Sequence, residues 1–129
     1  MRILIVDDDQ SNRMVLLHIL KSYGSCDVAA DGLVALAGFK SAHETKHPYD
    51  VIFLDIMMPE MDGHEVLKNV RDWEDQNLSL DKKRVNVVMV SALSNRGNVL
   101  SSFKEGCEYF LVKPITKDQV VTTMSKMGY

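Results

Sequence analysis

Asp7 and Asp8 directly follow the apolar run RILIV, and Asp55 follows VIFL. Ser91 and Ala92 follow VNVVMV, and Lys113 stands before Pro114 after YFLV. If each run is a strand of one open parallel sheet, the carboxyl ends share an edge, and these groups gather in one acidic pocket. Carboxylates that close repel one another, and a phosphoryl dianion among them is tolerable only if cations neutralise it. Mg²⁺ suits such hard oxygen donors. Phosphoryl transfer asks for positioning and for charge stabilisation on the phosphoryl oxygens. The metal, the Lys113 ammonium, the Ser91 hydroxyl and the Ala92 backbone N–H could divide that work.

Each group has a plainer use when taken alone. Asp7, Asp8 and Asp9 could cap a following helix, Ser91 could do the same, Asp55 could be an ordinary loop residue near Pro59, and Lys113 a solvated lysine before a turn. Against the plain readings, all of them would have to fall by coincidence on the same sheet edge.

The elements that position these groups alternate along the whole chain. Arg2 to Val6 reads as a strand, and Gln10 to Lys21 as a helix, because Met14, Leu17, His18 and Lys21 recur at spacings of three and four. Cys26 to Ala30 is a short strand stopped by Asp31-Gly32, and Leu33 to about Ala42 a second helix. Pro48 confines the stretch after that helix to a loop before the strand Val51 to Leu54. The segment from Asp55 to Gly63 reads as a loop, after which Val66, Leu67 and Val70 mark a third helix. Asn77 to Lys83 is the longest polar connection, and Val85 to Val90 has the apolar run of a central strand. A fourth helix from near Asn98 to Lys104 has weak intrinsic propensity because of its serines, asparagines and glycine. Tyr109 to Val112 is the last strand, and Thr116 with Gln119 forms a capping box that opens the last helix. Five such βα units predict a doubly wound α/β domain with a buried parallel sheet and helices on both faces.

At 129 residues, with 46% hydrophobic and 26% charged, the chain suits a single domain spanning 1–129. No leading signal segment and no bilayer-length apolar run is present, so the expected address is cytoplasmic, with no membrane partner. The net charge of −3 and the lone dense basic cluster, Lys82-Lys83-Arg84, argue against direct nucleic-acid binding. Cys26 and Cys107 lack the spacing of a disulfide scaffold or a thiolate zinc site. His43-Glu44-Thr45-Lys46-His47 matches the zinc-protease HExxH pattern, but Pro48 comes at once after it and no third ligand is evident. An exposed helix end is therefore expected. His18, His64, Trp73, Tyr23 and the methionines are read as ordinary helix-face or core residues.

The segments ILIVDD, DVIFLDIMMPEMDG, MVSALS and EGCEYFLVKPI, in that order and at these separations, resemble the response-regulator receiver domain of two-component signalling. The likeness spans nearly the whole chain. It implies a flavodoxin-like fold with strand order 2-1-3-4-5. It also implies that Asp55 is the phosphoacceptor for a sensor histidine kinase or phosphotransfer protein. Asp8, Asp55 and the carbonyl of Met57 would ligate Mg²⁺, with Asp7 acting mainly through a water on the metal. The family's relay runs from the hydroxyl at Ser91 to an aromatic residue, here Phe110, and reshapes the face of helix 4, strand 5 and helix 5 for a downstream protein. A phosphorylation-dependent homodimer through helix 4 to helix 5 is a further possible partner, which the sequence alone does not decide. Met57 and Leu93 flank the path of attacking water in this family, and both are apolar here, so slow self-dephosphorylation is expected.

Such a domain assists its own phosphorylation and dephosphorylation without being an enzyme in the ordinary sense. Two other classes stay in view. A haloacid-dehalogenase-type phosphohydrolase also uses an aspartate nucleophile and Mg²⁺, but it needs an acid two residues later, where this chain has Met57. A flavin carrier wants a Ser/Thr/Gly-rich loop where this chain has three aspartates. The chain starts one residue before its first strand and ends soon after its last helix. The expectation is either a free-standing receiver or a domain cut from a larger regulator.

Overall fold

The computed structural model describes residues 1–92 and 97–129 in full, together with the backbone of Arg96. The elements run β1 (Arg2–Val6), α1 (Gln10–Leu20), β2 (Ser25–Ala29), α2 (Gly32–Glu44), β3 (Val51–Asp55), α3 (Gly63–Asn77), β4 (Asn86–Ser91), α4 (Arg96–Lys104), β5 (Tyr109–Val112) and α5 (Lys117–Lys126). All strand pairs are parallel, and the sheet order is β2-β1-β3-β4-β5.

The central strands read as continuous apolar runs because both faces are covered, yet each still alternates. Leu4, Val6, Ile52, Leu54, Val87 and Met89 pack into the core on the side of α2 and α3. Ile3, Ile5, Val51, Phe53, Val88 and Val90 pack into the core shared with α1 and α5. A one-residue slip of any strand would exchange the two cores, so the register that sets the sheet edge is held from both sides.

Helix starts are fixed by side chains that accept otherwise unpaired backbone N–H groups. Asp9 accepts from Ser11 and Asn12, Asp31 from Val34, and Asp62 from Glu65. The capping box of Thr116 and Gln119 forms as the sequence predicts.

Several boundaries differ from the sequence reading. Asp55 is the last residue of β3, not a loop residue, because its backbone continues the pairing with Val90. Gly63 opens α3, since the cap is Asp62. β4 runs from Asn86 to Ser91, one residue later than expected, because the amide of Val85 is taken by the Glu74 side chain. β2 lies one residue earlier than expected, in register with β1 from Arg2. α1 ends at Leu20 with Lys21 as its cap, and α2 runs on to Glu44. Among the described residues no helix is long and apolar enough to cross a membrane.

Candidate functional site

The carboxyl edge of the sheet collects the predicted groups through register alone. Val6 pairs with Leu54, Asp55 with Val90, and Ser91 with Val112. Asp7 follows β1 directly, Asp55 ends β3, Ser91 ends β4, and Lys113 follows β5. Two further hydrogen bonds lock this edge: the Ile56 N–H donates to the Val90 carbonyl at 3.0 Å, and the Lys113 N–H to the Ser91 carbonyl at 2.8 Å.

The three consecutive aspartates divide their labour. Asp9 caps α1, and its backbone N–H donates to Asp7 Oδ1 at 2.9 Å. Asp7 and Asp8 are thereby left to the pocket, where their carboxylate oxygens and that of Asp55 lie within 4.8 Å of one another. Asp7 and Asp55 are buried and Asp8 is exposed, so the cluster opens to solvent at Asp8. Lys113 Nζ lies 3.1 Å from Asp7 Oδ2 and 3.3 Å from Asp55 Oδ1. Asp55 Oδ1 is enclosed and makes no hydrogen bond beyond that ion pair.

The electrostatics result from this crowding. Burial first, and then the negative charge of Asp7, push the Asp55 carboxyl up to about 6, against the pull of Lys113. Burial disfavours the Lys113 ammonium, but Asp7 and Asp55 more than offset it, so its affinity for the proton is raised. One fixed ammonium faces three acids, and a divalent cation would complete the neutralisation. An oxygen-only donor set with an under-bonded buried carboxylate fits Mg²⁺. A cavity of about 130 Å³ adjoins Asp7, Asn12 and Lys113.

Gly63 is a site residue that sequence reasoning passed over. A Cβ there would stand 2.5 Å from the Asp55 carbonyl oxygen and 2.7 Å from Ile56 Cα. The α3 start packs against the end of β3 only because that side chain is absent, and the Gly63 N–H donates to the Ile56 carbonyl at 2.9 Å. The signal was available in the DG pair that opens a helix after the Asp55 loop.

A family model described as the response regulator receiver domain matches residues 3–125. The chain belongs to this family. The receiver is 34% identical to hybrid signal transduction histidine kinase L of Dictyostelium discoideum over 98% of its own length, which is 7% of that kinase. It is 33% identical to the chemotaxis protein CheY of Listeria monocytogenes, covering 98% of this chain and 97% of that one. A chain of the CheX–CheY–BeF₃–Mg²⁺ complex from Borrelia burgdorferi superposes with a TM-score of 0.84 at 31% identity, covering 100% of this chain and 90% of that one. As a receiver, this domain is a module of phosphorelay signalling, and nothing supports the phosphohydrolase alternative.

The remaining expectations fall unevenly on the receiver. Ser91 is buried at the edge, Ala92 is exposed beside it, and Met57 is exposed in the loop after β3. Phe110 is half-buried and packs against the core on the α2 and α3 side. Leu93 lies outside the described residues. The HExxH segment builds no metal centre: His43 is in the last turn of α2, and Lys46 turns the chain with φ 64° before His47. Among the described residues the acidic cluster is the sole grouping of three or more metal-capable side chains. His64 faces α4, with Nδ1 2.7 Å from Glu105 Oε1.

Proposed function

We propose that Asp55 accepts a phosphoryl group from a phosphohistidine of a kinase or phosphotransfer protein, and that residues 1–129 act as one receiver unit. A carboxylate oxygen of Asp55 attacks phosphorus as the histidine N–P bond breaks, and the departing imidazole takes its proton from solvent. Asp8, Asp55 and the Met57 carbonyl would hold Mg²⁺, with Asp7 beside them. Bound there, the ion would supply charge neutralisation for the incoming phosphoryl oxygens. Lys113 exchanges its ion pair with Asp55 for one with the new phosphoryl group, while the Ser91 hydroxyl and the Ala92 N–H donate to the remaining oxygens.

Supporting this reading above all is the enclosed Asp55 oxygen between Asp7 and Lys113, a charged group left under-bonded in a fold that satisfies its other buried carboxylates. The Borrelia complex contains Mg²⁺ and BeF₃, and the Dictyostelium relative is a hybrid kinase, which favours the same metal and the same donor chemistry. Phosphorylation draws Ser91 toward the phosphoryl group and lets Phe110 turn further inward, repacking the α4-β5-α5 face for a downstream protein. The domain promotes its own phosphorylation and hydrolysis but turns over no separate substrate, and it works in the cytoplasm.

Incubation with acetyl phosphate followed by intact-protein and peptide mass spectrometry tests this. One phosphoryl group on Asp55, formed with Mg²⁺ and lost with EDTA, is expected. Modification at another residue, or labelling indifferent to Mg²⁺, would overturn the assignment.

A further inference from the structure

The opposite pole of the sheet holds a second concavity of different character. It lies between the α2–β3 and α3–β4 connections. Trp73 at its back is ten residues beyond Gly63 along α3, roughly 15 Å at the helical rise. We propose that this cavity, lined by His43, Lys46, Pro48, Leu78, Lys82 and Lys83, binds a small phosphorylated ligand of the nucleotide class.

The size suits such a ligand. The cavity measures about 340 Å³, at the lower end of small-ligand sites, and continues into a recess of about 50 Å³ beside Tyr49 and Arg84.

The charge suits it too. The chain carries a net −3, yet three lysines line this one cavity and no acid lines it. Among the described residues none of these three lysines forms an ion pair with a carboxylate. Asp50, in the recess, accepts the Arg2 N–H and lends part of its charge to Lys83. Lysines grouped on an acidic protein raise the local concentration of anions. They are confined to one hollow rather than spread over a face, which suits a small anion better than a nucleic-acid duplex.

Lys83 is held at its ammonium, and Lys46 at its backbone. Lys83 Nζ donates to Tyr129 Oη at 3.0 Å and stands 5.6 Å from that ring's centroid. The left-handed backbone of Lys46 fixes its turn, closed by a hydrogen bond from its N–H to the His43 carbonyl.

The remaining wall is built around an aromatic ring. The His43 ring is held edge-on by Phe39, with centroids 5.0 Å apart, and backed by Trp73 at 4.5 Å with a 36° tilt. Burial lowers the proton affinity of His43, which keeps the ring neutral near pH 7. Pro48 and Leu78 complete that wall. A lining that combines three lysines with a packed aromatic ring matches a ligand that joins phosphates to a flat heterocycle.

Trp73 is the sole tryptophan, so its fluorescence reports on this pole. The full chain is titrated in EDTA with ATP, tripolyphosphate and adenosine, following Trp73 emission and calorimetric heat. Expected is one-to-one ATP binding with Kd below about 1 mM, at least about tenfold tighter than either fragment alone. Lys82→Gln with Lys83→Gln should weaken ATP by about tenfold and leave Mg²⁺-dependent phosphorylation by acetyl phosphate unchanged. Lys46→Gln should weaken it on its own, which guards against a folding defect in the double variant. No ATP signal at about 5 mM, tripolyphosphate matching ATP, or variants that bind as the parent does would each overturn the proposal.

Discussion

Two buried carboxylates, the proposed phosphoacceptor Asp55 and the structural Glu74, are treated by this fold in opposite ways. Asp55 is 2% exposed and Glu74 is 1% exposed, so both are charges removed from water. Glu74 is fully provided for: Arg71 Nη1 donates to Oε1 at 2.7 Å and the Val85 N–H to Oε2 at 2.8 Å. The same guanidinium donates to the carbonyls of Val85 and Gly106 and to Glu108, so it ties α3 to the starts of β4 and β5. Asp55 instead faces Asp7 and shares one ammonium with it. A satisfied buried carboxylate closes a network, whereas an under-bonded one stores repulsion that an incoming cation or phosphoryl group can relieve.

The sharpest way to break this comparison is to neutralise one carboxylate and to take the cation from the other. Asp55→Asn should abolish Mg²⁺-dependent phosphorylation by acetyl phosphate. Without metal it should also stabilise the fold, by on the order of 2 kcal/mol at neutral pH, because the repelling charge is gone. Arg71→Ala should cost about 3–5 kcal/mol in urea unfolding, because it strands Glu74 without its cation, yet phosphorylation should persist wherever the protein remains folded. Equal and same-signed stability changes in the two variants would end the distinction between them.

Gly63→Ala comes next. The added Cβ overlaps the Asp55 carbonyl, so β3 or α3 must shift, at about 1–3 kcal/mol by the usual cost of overpacking. Because the shift falls on the backbone of Asp55, the proposed phosphoacceptor, phosphorylation by acetyl phosphate should slow by more than the stability loss explains. A parental rate in the folded variant would show that Asp55 tolerates displacement, and the site would be looser than its packing indicates.

How far these regions could be read in advance also divides between them. The acids, Ser91 and Lys113 were legible because they interrupt apolar runs at strand ends, and parallel topology then forces them together. The 2-1-3-4-5 order came from family resemblance, since periodicity alone does not say which strand pairs with which. Glu74 went unread. It follows Leu67 and Val70 at spacings of seven and four, on the core face of α3, but a glutamate type argues for solvent unless its partner Arg71 is seen to reach it. Gly63 was noticed only as a loop marker, because close approach of two backbones is a tertiary fact. The early start read for β4 has the same cause: the Val85 amide looks free for the sheet until Glu74 claims it.

The smallest effect sharpens the comparison at a third carboxylate, Asp27. Tyr49 Oη donates to Asp27 Oδ2 at 2.6 Å and Arg2 Nη2 lies 2.7 Å away, so this half-exposed group is well provided for. The Tyr49 hydrogen bond is the leading cause that holds the Asp27 carboxyl below its ordinary value, the opposite direction to Asp55. A depressed carboxyl contributes stability that is present above its unfolded value near 4 and is lost as pH falls through the folded value. Tyr49→Phe should therefore cost up to about 1 kcal/mol at neutral pH, and the deficit relative to the parent should shrink as pH drops below about 4. Urea midpoints for both proteins across that acid range measure it. A deficit that stays constant with pH would mean that Tyr49 contributes packing alone, and that Asp27 owes its low proton affinity to Arg2.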